Sequence, residues 1–122
     1  MQLISKPWGY YVNGQEGVTS TGAKFLVKQI VVNPKGMLSL QSHQHRDEFW
    51  IVTRGLLTVF SEEGTQDDGT YIIGQVLFIP AGKKHRIANL YSDGDLVLSE
   101  IQLGTEISED DIVRYQDIYG RA

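Results

Sequence analysis

The densest chemistry in the sequence lies in the run Gln41-Ser42-His43-Gln44-His45-Arg46-Asp47-Glu48-Phe49-Trp50. It holds two of the chain's three histidines, and the third, His85, stands well downstream. Extended backbone over Gln41–His45 puts Gln41, His43 and His45 on one face and Leu40, Ser42 and Gln44 on the other. Two imidazoles and an amide oxygen on one face, with Glu48 just past a bend, make most of a metal site, and His85 can close it. A lone histidine is usually structural, but several ligand types at matching positions point to a centre. The candidate ligands are therefore His43, His45, Glu48, His85 and Gln41, around one divalent ion. Imidazole and carboxylate donors without thiolate suit zinc, manganese, iron, cobalt or nickel alike.

Such ligands need a rigid frame. A chain of 122 residues is one domain's length, and its 41% apolar and 21% charged content fits a folded globular protein. Thirteen glycines against three prolines, with short apolar runs between turn signals, indicate β-structure. Strands are expected at Phe25–Val32, Met37–His45, Glu48–Thr53, Leu56–Phe60, Tyr71–Ile73, Val76–Ile79, His85–Asn89 and Leu96–Leu103. Turns are expected at Asn13-Gly14, Asn33–Gly36, Glu62–Gly64, Asp67–Gly69 and Pro80–Gly82. Strands at this spacing suggest a sandwich or closed barrel. Trp8 anchors the N-terminal segment on the core. Lys28 interrupts an apolar strand and faces either solvent or a pocket. Past Leu103 the period changes. Ser108 as cap, acids at Glu109–Asp111, and Ile112, Tyr115 and Tyr119 on one face predict a short C-terminal helix ending at Gly120.

The net charge of −4 leaves no basic excess to neutralise phosphates, so nonspecific nucleic-acid binding is not expected. Without cysteine there is no thiolate ligand, nucleophile or disulfide. No apolar run approaches membrane-spanning length, and Met1–Lys6 lacks a signal core. The expectation is a cytoplasmic protein with no membrane partner.

Gly74-x5-Pro80-x-Gly82-x2-His85-x3-Asn89 resembles the second motif of the cupin superfamily, and Gly36 through Gly55 resembles the first. Cupins place three or four residues between a histidine pair and the glutamate. Here His43-x-His45 leaves two before Glu48, while Gln41-x-His43 leaves four but puts glutamine in the first position. The resemblance thus implies His43, Glu48 and His85 as ligands, with His45 and Gln41 competing for the remaining place.

Further stretches narrow it. Lys6-Pro7-Trp8-Gly9, Leu38 through Val52, Ile79 through Arg86 and Glu109 through Arg121 together resemble the type II mannose-6-phosphate isomerase family. That family is often the C-terminal half of a bifunctional enzyme with a mannose-1-phosphate guanylyltransferase. Lysine stands at position 6 where arginine is usual, and Gln44 and Phe49 where histidines are common. The nucleotidyltransferase half is not in the sequence, so no guanylyl transfer is expected. The resemblance implies an all-β fold: a single cupin domain over residues 1–122, a double-stranded β-helix or jelly-roll barrel, with the short helix appended.

It also implies aldose–ketose isomerisation between mannose 6-phosphate and fructose 6-phosphate. The alternatives are another sugar isomerase or epimerase on the same frame, or a non-catalytic metal-containing sugar-binding module. Isomerisation moves a proton between C1 and C2, so the site needs a Lewis acid, a base and a phosphate seat. The candidate bases are Glu48 if it is not a ligand, His45 if Gln41 replaces it on the metal, and Lys28 if it turns inward. The candidate phosphate residues are Arg46, Arg86, Arg114 and Arg121, because a guanidinium fork binds two oxygens at once. Arg114 and Arg121 share a face if the helix reaches both. A homodimer is expected, with Tyr10, Tyr11, Phe49 and Trp50 either at the contact or in the core.

Overall fold

A computed structural model describes residues 2–61 and 67–121. Among these residues eleven strands follow one another: β1 (Leu3–Lys6), β2 (Gly9–Val18), β3 (Lys24–Val32), β4 (Leu40–Ser42), β5 (Arg46–Arg54), β6 (Leu57–Phe60), β7 (Asp67–Tyr71), β8 (Val76–Ile79), β9 (Arg86–Ala88), β10 (Leu96–Gly104) and β11 (Val113–Gln116). One sheet has the order β1-β2-β3-β10-β5-β8, and β7-β6-β9 and β11-β4 form two smaller ones. Bridges Met37↔Ala88 and Gln41↔His85 join the smaller sheets into a second layer. The side chains between the layers include Trp8, Ile30, Val32, Trp50, Val52, Leu57, Ile87, Leu96 and Leu98.

Period-two alternation decides what faces inward. In β10 the buried residues are Leu96, Leu98, Glu100 and Gln102; in β5 they are Arg46, Glu48, Trp50 and Val52. Antiparallel register aligns Leu98 with Val52 and Ile30, Glu100 with Trp50 and Lys28, and Gln102 with Glu48. Past Leu98 the inward surface of β10 therefore turns polar at Glu100 and Gln102, and Lys28 and Glu48 face it from the neighbouring strands. That level is where the barrel builds a site rather than a core.

The expected C-terminal helix does not form. Residues after Ser108 make a tight turn, with the Asp111 amide donating to the Ser108 carbonyl and the Asp110 amide to the Ser108 hydroxyl. The chain then runs as β11 against β4, pairing Val113 with Ser42 and Arg114 with Gln41. The physical reason is competition. A capping residue contributes about 1 kcal/mol, whereas β4 offers an open edge and the acidic run finds specific partners on the barrel. Tyr115 meets the Ser42 hydroxyl at 2.9 Å, and the Arg86 guanidinium donates to the Gln116 carbonyl.

Other differences are local. Residues before Thr19 form the two strands β1 and β2, and Asn13-Gly14 is a bulge inside β2, where the register shifts between Asn13 and Glu16. The expected Met37–His45 strand is reduced to β4, because the chain bends at residues 43–45. Gly69 lies within β7 rather than a turn, and Glu62–Gly64 lie outside the described residues. Trp8 is buried in the core as expected, and so are Trp50 and Tyr11, which removes both from any surface contact. Among the described residues no helix is long and apolar enough to cross a membrane.

Candidate metal centre

The bend at residues 43–45 brings His43 inward, β5 contributes Glu48, and His85 comes from the turn before β9. All three are buried, and their ligand atoms lie within 4.8 Å of one another. His43 Nε2 is 3.2 Å from Glu48 Oε2, and His85 Nε2 is 3.8 Å from Glu48 Oε1. Metal–ligand bonds of about 2.1 Å leave ligand atoms roughly 3–4 Å apart, so these spacings fit a cation.

The tautomers fit as well. His43 Nδ1 is 2.6 Å from the Asp111 carbonyl, and His85 Nδ1 is 3.0 Å from the Lys83 carbonyl. A carbonyl oxygen only accepts, so both Nδ1 atoms carry the proton and both Nε2 lone pairs turn toward Glu48. Burial lowers the pKa of His43, helped by the charge of Arg46. Burial also pushes His85 down to about 4, helped by His43. Two neutral imidazoles and a carboxylate are the protonation states that a divalent ion requires.

Glu48 is held from behind. Arg46 Nε donates to its Oε2 at 3.0 Å, and the Trp50 indole donates to Oε1 at 3.1 Å. The same indole lies 3.3 Å from Glu100 Oε1, and the Gln102 amide reaches Glu100 Oε2 at 3.4 Å. Burial raises Glu100 to about 8, with the Glu48 charge the next cause. Burial and the neighbouring Glu48 charge thus both favour the protonated form of the Glu100 carboxyl beneath the cluster. Neither Glu100 nor Gln102 was among the sequence-derived candidates. The signal was there: period two from Leu96 and Leu98 carries the inward face straight to both.

The remaining candidates divide. Gln41 lines the cavity with His43, Glu48 and His85, whereas His45 is exposed and lines a separate surface hollow with Glu106 and Asp110. The expected extended run through His45 fails because the chain bends after Ser42, and His45 lies on the surface, outside the cavity that His43, Glu48 and His85 share. Lys28 does turn inward, with its ammonium 3.0 Å from Glu109 Oε2 and over the Tyr11 ring. The bend returns Arg46 to the cavity, where its guanidinium also donates to the Ser108 carbonyl. Arg86 is buried outside the cavity lining, donating to the carbonyls of Leu38 and Gln116, and so is not placed to seat a phosphate. Arg114 and Arg121 both line the cavity, carried by β11 and the following turn rather than by a helical face. Arg121 is paired with Asp117 at 2.6 Å. Lys6, not singled out as a binding residue from sequence, lines the cavity too.

Residues 1–117 match the family described as "Mannose-6-phosphate isomerase C-terminal". The chain is 40% identical to the alginate biosynthesis protein AlgA of Pseudomonas aeruginosa, over 97% of this chain and 23% of that protein. It is 35% identical to the mannose-1-phosphate guanylyltransferase of Escherichia coli, again over 97% of this chain and 23% of the relative. The chain thus spans about a quarter of the length of these relatives. Among solved structures, the cupin domain of Schizosaccharomyces pombe Cnp3 superposes with a TM-score of 0.69 at 11% identity, covering 85% of this chain and 69% of that one. That likeness establishes the cupin fold.

Proposed function

The chain belongs to the mannose-6-phosphate isomerase C-terminal family, and on that premise we propose that it is a metal-dependent aldose–ketose isomerase interconverting mannose 6-phosphate and fructose 6-phosphate. The observation that carries the reading is the convergence of two neutral imidazoles and Glu48 in a cavity that Lys6, Arg114 and Arg121 also line. His43, Glu48 and His85 would hold the cation, with Gln41 beside them. When bound, a divalent ion supplies Lewis-acid polarisation of the sugar's carbonyl and hydroxyl oxygens.

The chain's own groups do the rest. Arg114 makes no side-chain hydrogen bond within the described residues, so its fork is free for the phosphate, with Arg121 and Lys6 adding charge. Arg46 orients Glu48 through Nε and keeps the carboxylate aimed at the cluster. With Glu48 committed to the metal, the Lys28–Glu109 pair remains for the proton transfer: Lys28 stands as an ammonium held by Glu109, so Glu109 is the acceptor on the cavity wall and Lys28 the donor. Trp8, Ile30 and Ile87 form the apolar side of the cavity, limiting water around the reacting carbons.

The test is coupled turnover of mannose 6-phosphate to fructose 6-phosphate by chelated protein, repeated after adding back each divalent metal. Activity restored by one or more metals is the expected result. Folded, metal-bound protein that turns over no mannose 6-phosphate would overturn the proposal and leave a sugar-binding module or a different substrate.

A further inference from the structure

We propose that Asp111 is a positioning residue of the metal centre, acting through His43. The inference rests on reading His43, Glu48 and His85 as a cation site.

Three contacts converge on Asp111. Its carboxylate accepts the backbone N–H of Gln44 at 2.9 Å and of His45 at 3.0 Å. Its carbonyl accepts the Nδ1 proton of His43 at 2.6 Å. One residue therefore fixes both the backbone bend that carries His43 inward and the tautomer that leaves Nε2 free. The Gly82 amide donates to the His43 carbonyl at 2.7 Å and the Thr105 amide to the His45 carbonyl at 3.0 Å, so other backbone contacts share the bend, while Asp111 takes the two amides within it and the His43 ring as well. Extended backbone through residues 41–45 would set His43 beside His45, and His45 is solvent-exposed. The two amide donors at the bend would otherwise go to water, and two charge-assisted hydrogen bonds hold the turn in place. Asp111 is itself anchored on the barrel by its neighbours. Glu109 is paired with Lys28, Arg46 donates to the Ser108 carbonyl, and Tyr115 meets Ser42. The C-terminal segment is thus part of the centre, and the ligand geometry is incomplete without it.

The experiment compares Asp111→Ala and Asp111→Asn with the unmodified full-length chain. Affinity for Co(II) is measured by competition with a chromophoric chelator, alongside the visible absorption of the cobalt-loaded protein and the melting temperature of the metal-free one. Loss of a residue that orients a ligand weakens metal binding by about 10–100-fold, so Asp111→Ala should bind cobalt that much more weakly with an altered absorption band. Asp111→Asn keeps one side-chain acceptor and should recover part of the loss. A residue that merely stabilised the fold would lower the melting temperature and leave the affinity and spectrum of the folded protein unchanged. That result would overturn the inference. If Asp111→Ala fails to fold, the imidazole nitrogen shifts of His43 in metal-free unmodified protein decide. The Nδ1–H tautomer supports the inference, and the Nε2–H tautomer overturns it. Unmodified protein that binds no cobalt, like a His43→Ala control, would overturn the underlying reading of the centre. Cobalt binding equal in unmodified and Asp111→Ala protein would overturn only the role of Asp111.

Discussion

At the scale of single residues, the centre is a set of buried charges that hold one another. Arg46 and Glu48 are both nearly inaccessible and joined at 3.0 Å. Removing one partner of such a pair leaves the other buried and uncompensated, which costs about 3–5 kcal/mol. Glu48→Ala should therefore unfold at markedly lower urea than the unmodified protein, even with metal absent from both. Equal midpoints would mean that water or Ser108 compensates Arg46. Arg114 is the opposite case. Among the described residues it makes no side-chain hydrogen bond, and it lines the cavity, so Arg114→Ala should leave the melting temperature within about a degree or two. A lost charge-assisted hydrogen bond is worth about 1.5–3 kcal/mol, so KM for mannose 6-phosphate should rise by about ten-fold or more. Unchanged kinetics would remove Arg114 from phosphate binding.

At the scale of elements, the bend at residues 43–45 is clasped from both sides. Asp111 holds its amides, and β10 ends beneath it at Gly104. A β-carbon on Gly104 would collide with the His45 carbonyl and lie 2.6 Å from the Arg46 α-carbon. The Thr105 amide donates to the same carbonyl at 3.0 Å. Gly104→Ala must push the bend outward, at a cost of about 1–3 kcal/mol for overpacking, and it should weaken metal binding with it. Calorimetry and metal titration on the same sample check this. Lowered stability with undiminished metal affinity would show that the bend can move without carrying His43. The C-terminal segment teaches a related lesson. Its Ser108 cap, acidic first turn and the spacing of Ile112, Tyr115 and Tyr119 are sound helix signals, and they lost to a sheet edge. Asp111 and Glu109, read as helix-dipole partners, instead bind backbone amides and Lys28.

At the scale of the whole molecule, buried titratable groups pull the pH dependence of stability in opposite directions in the metal-free protein, with His43 and His85, both lowered, against Glu100, raised. His85 is lowered from 6.5 to about 4, so its contribution is complete above pH 6.5 and is lost as pH falls toward 4. Glu100 is raised from 4.5 to about 8, so its contribution is complete below pH 4.5 and is lost as pH rises toward 8. Between 4.5 and 6.5 the two slopes oppose; between 6.5 and 8 Glu100 acts alone. Urea midpoints of chelated protein should decline across that upper window, and Glu100→Gln should flatten the decline. A profile that falls equally in both proteins would assign it to another group.

The sequence by itself determined the β-architecture and three residues that the fold gathers, His43, Glu48 and His85. Those features depend on period-two alternation and on motif spacing, which are local and survive in one dimension. Glu100 and Gln102 were legible by the same alternation, because the inward face of β10 continues from Leu96 and Leu98 into polar residues. Only the tertiary structure put Gln41 in the cavity and His45 on the surface, because that difference turns on a bend whose amides meet Asp111, far off in the chain. Only the structure separated the arginines, since Arg86 spends its donors on two backbone carbonyls while Arg114 reaches the cavity from a strand expected to be a helix. In each case a contact between distant segments overrode a local preference worth about 1 kcal/mol, and no reading of neighbouring residues contains that contact.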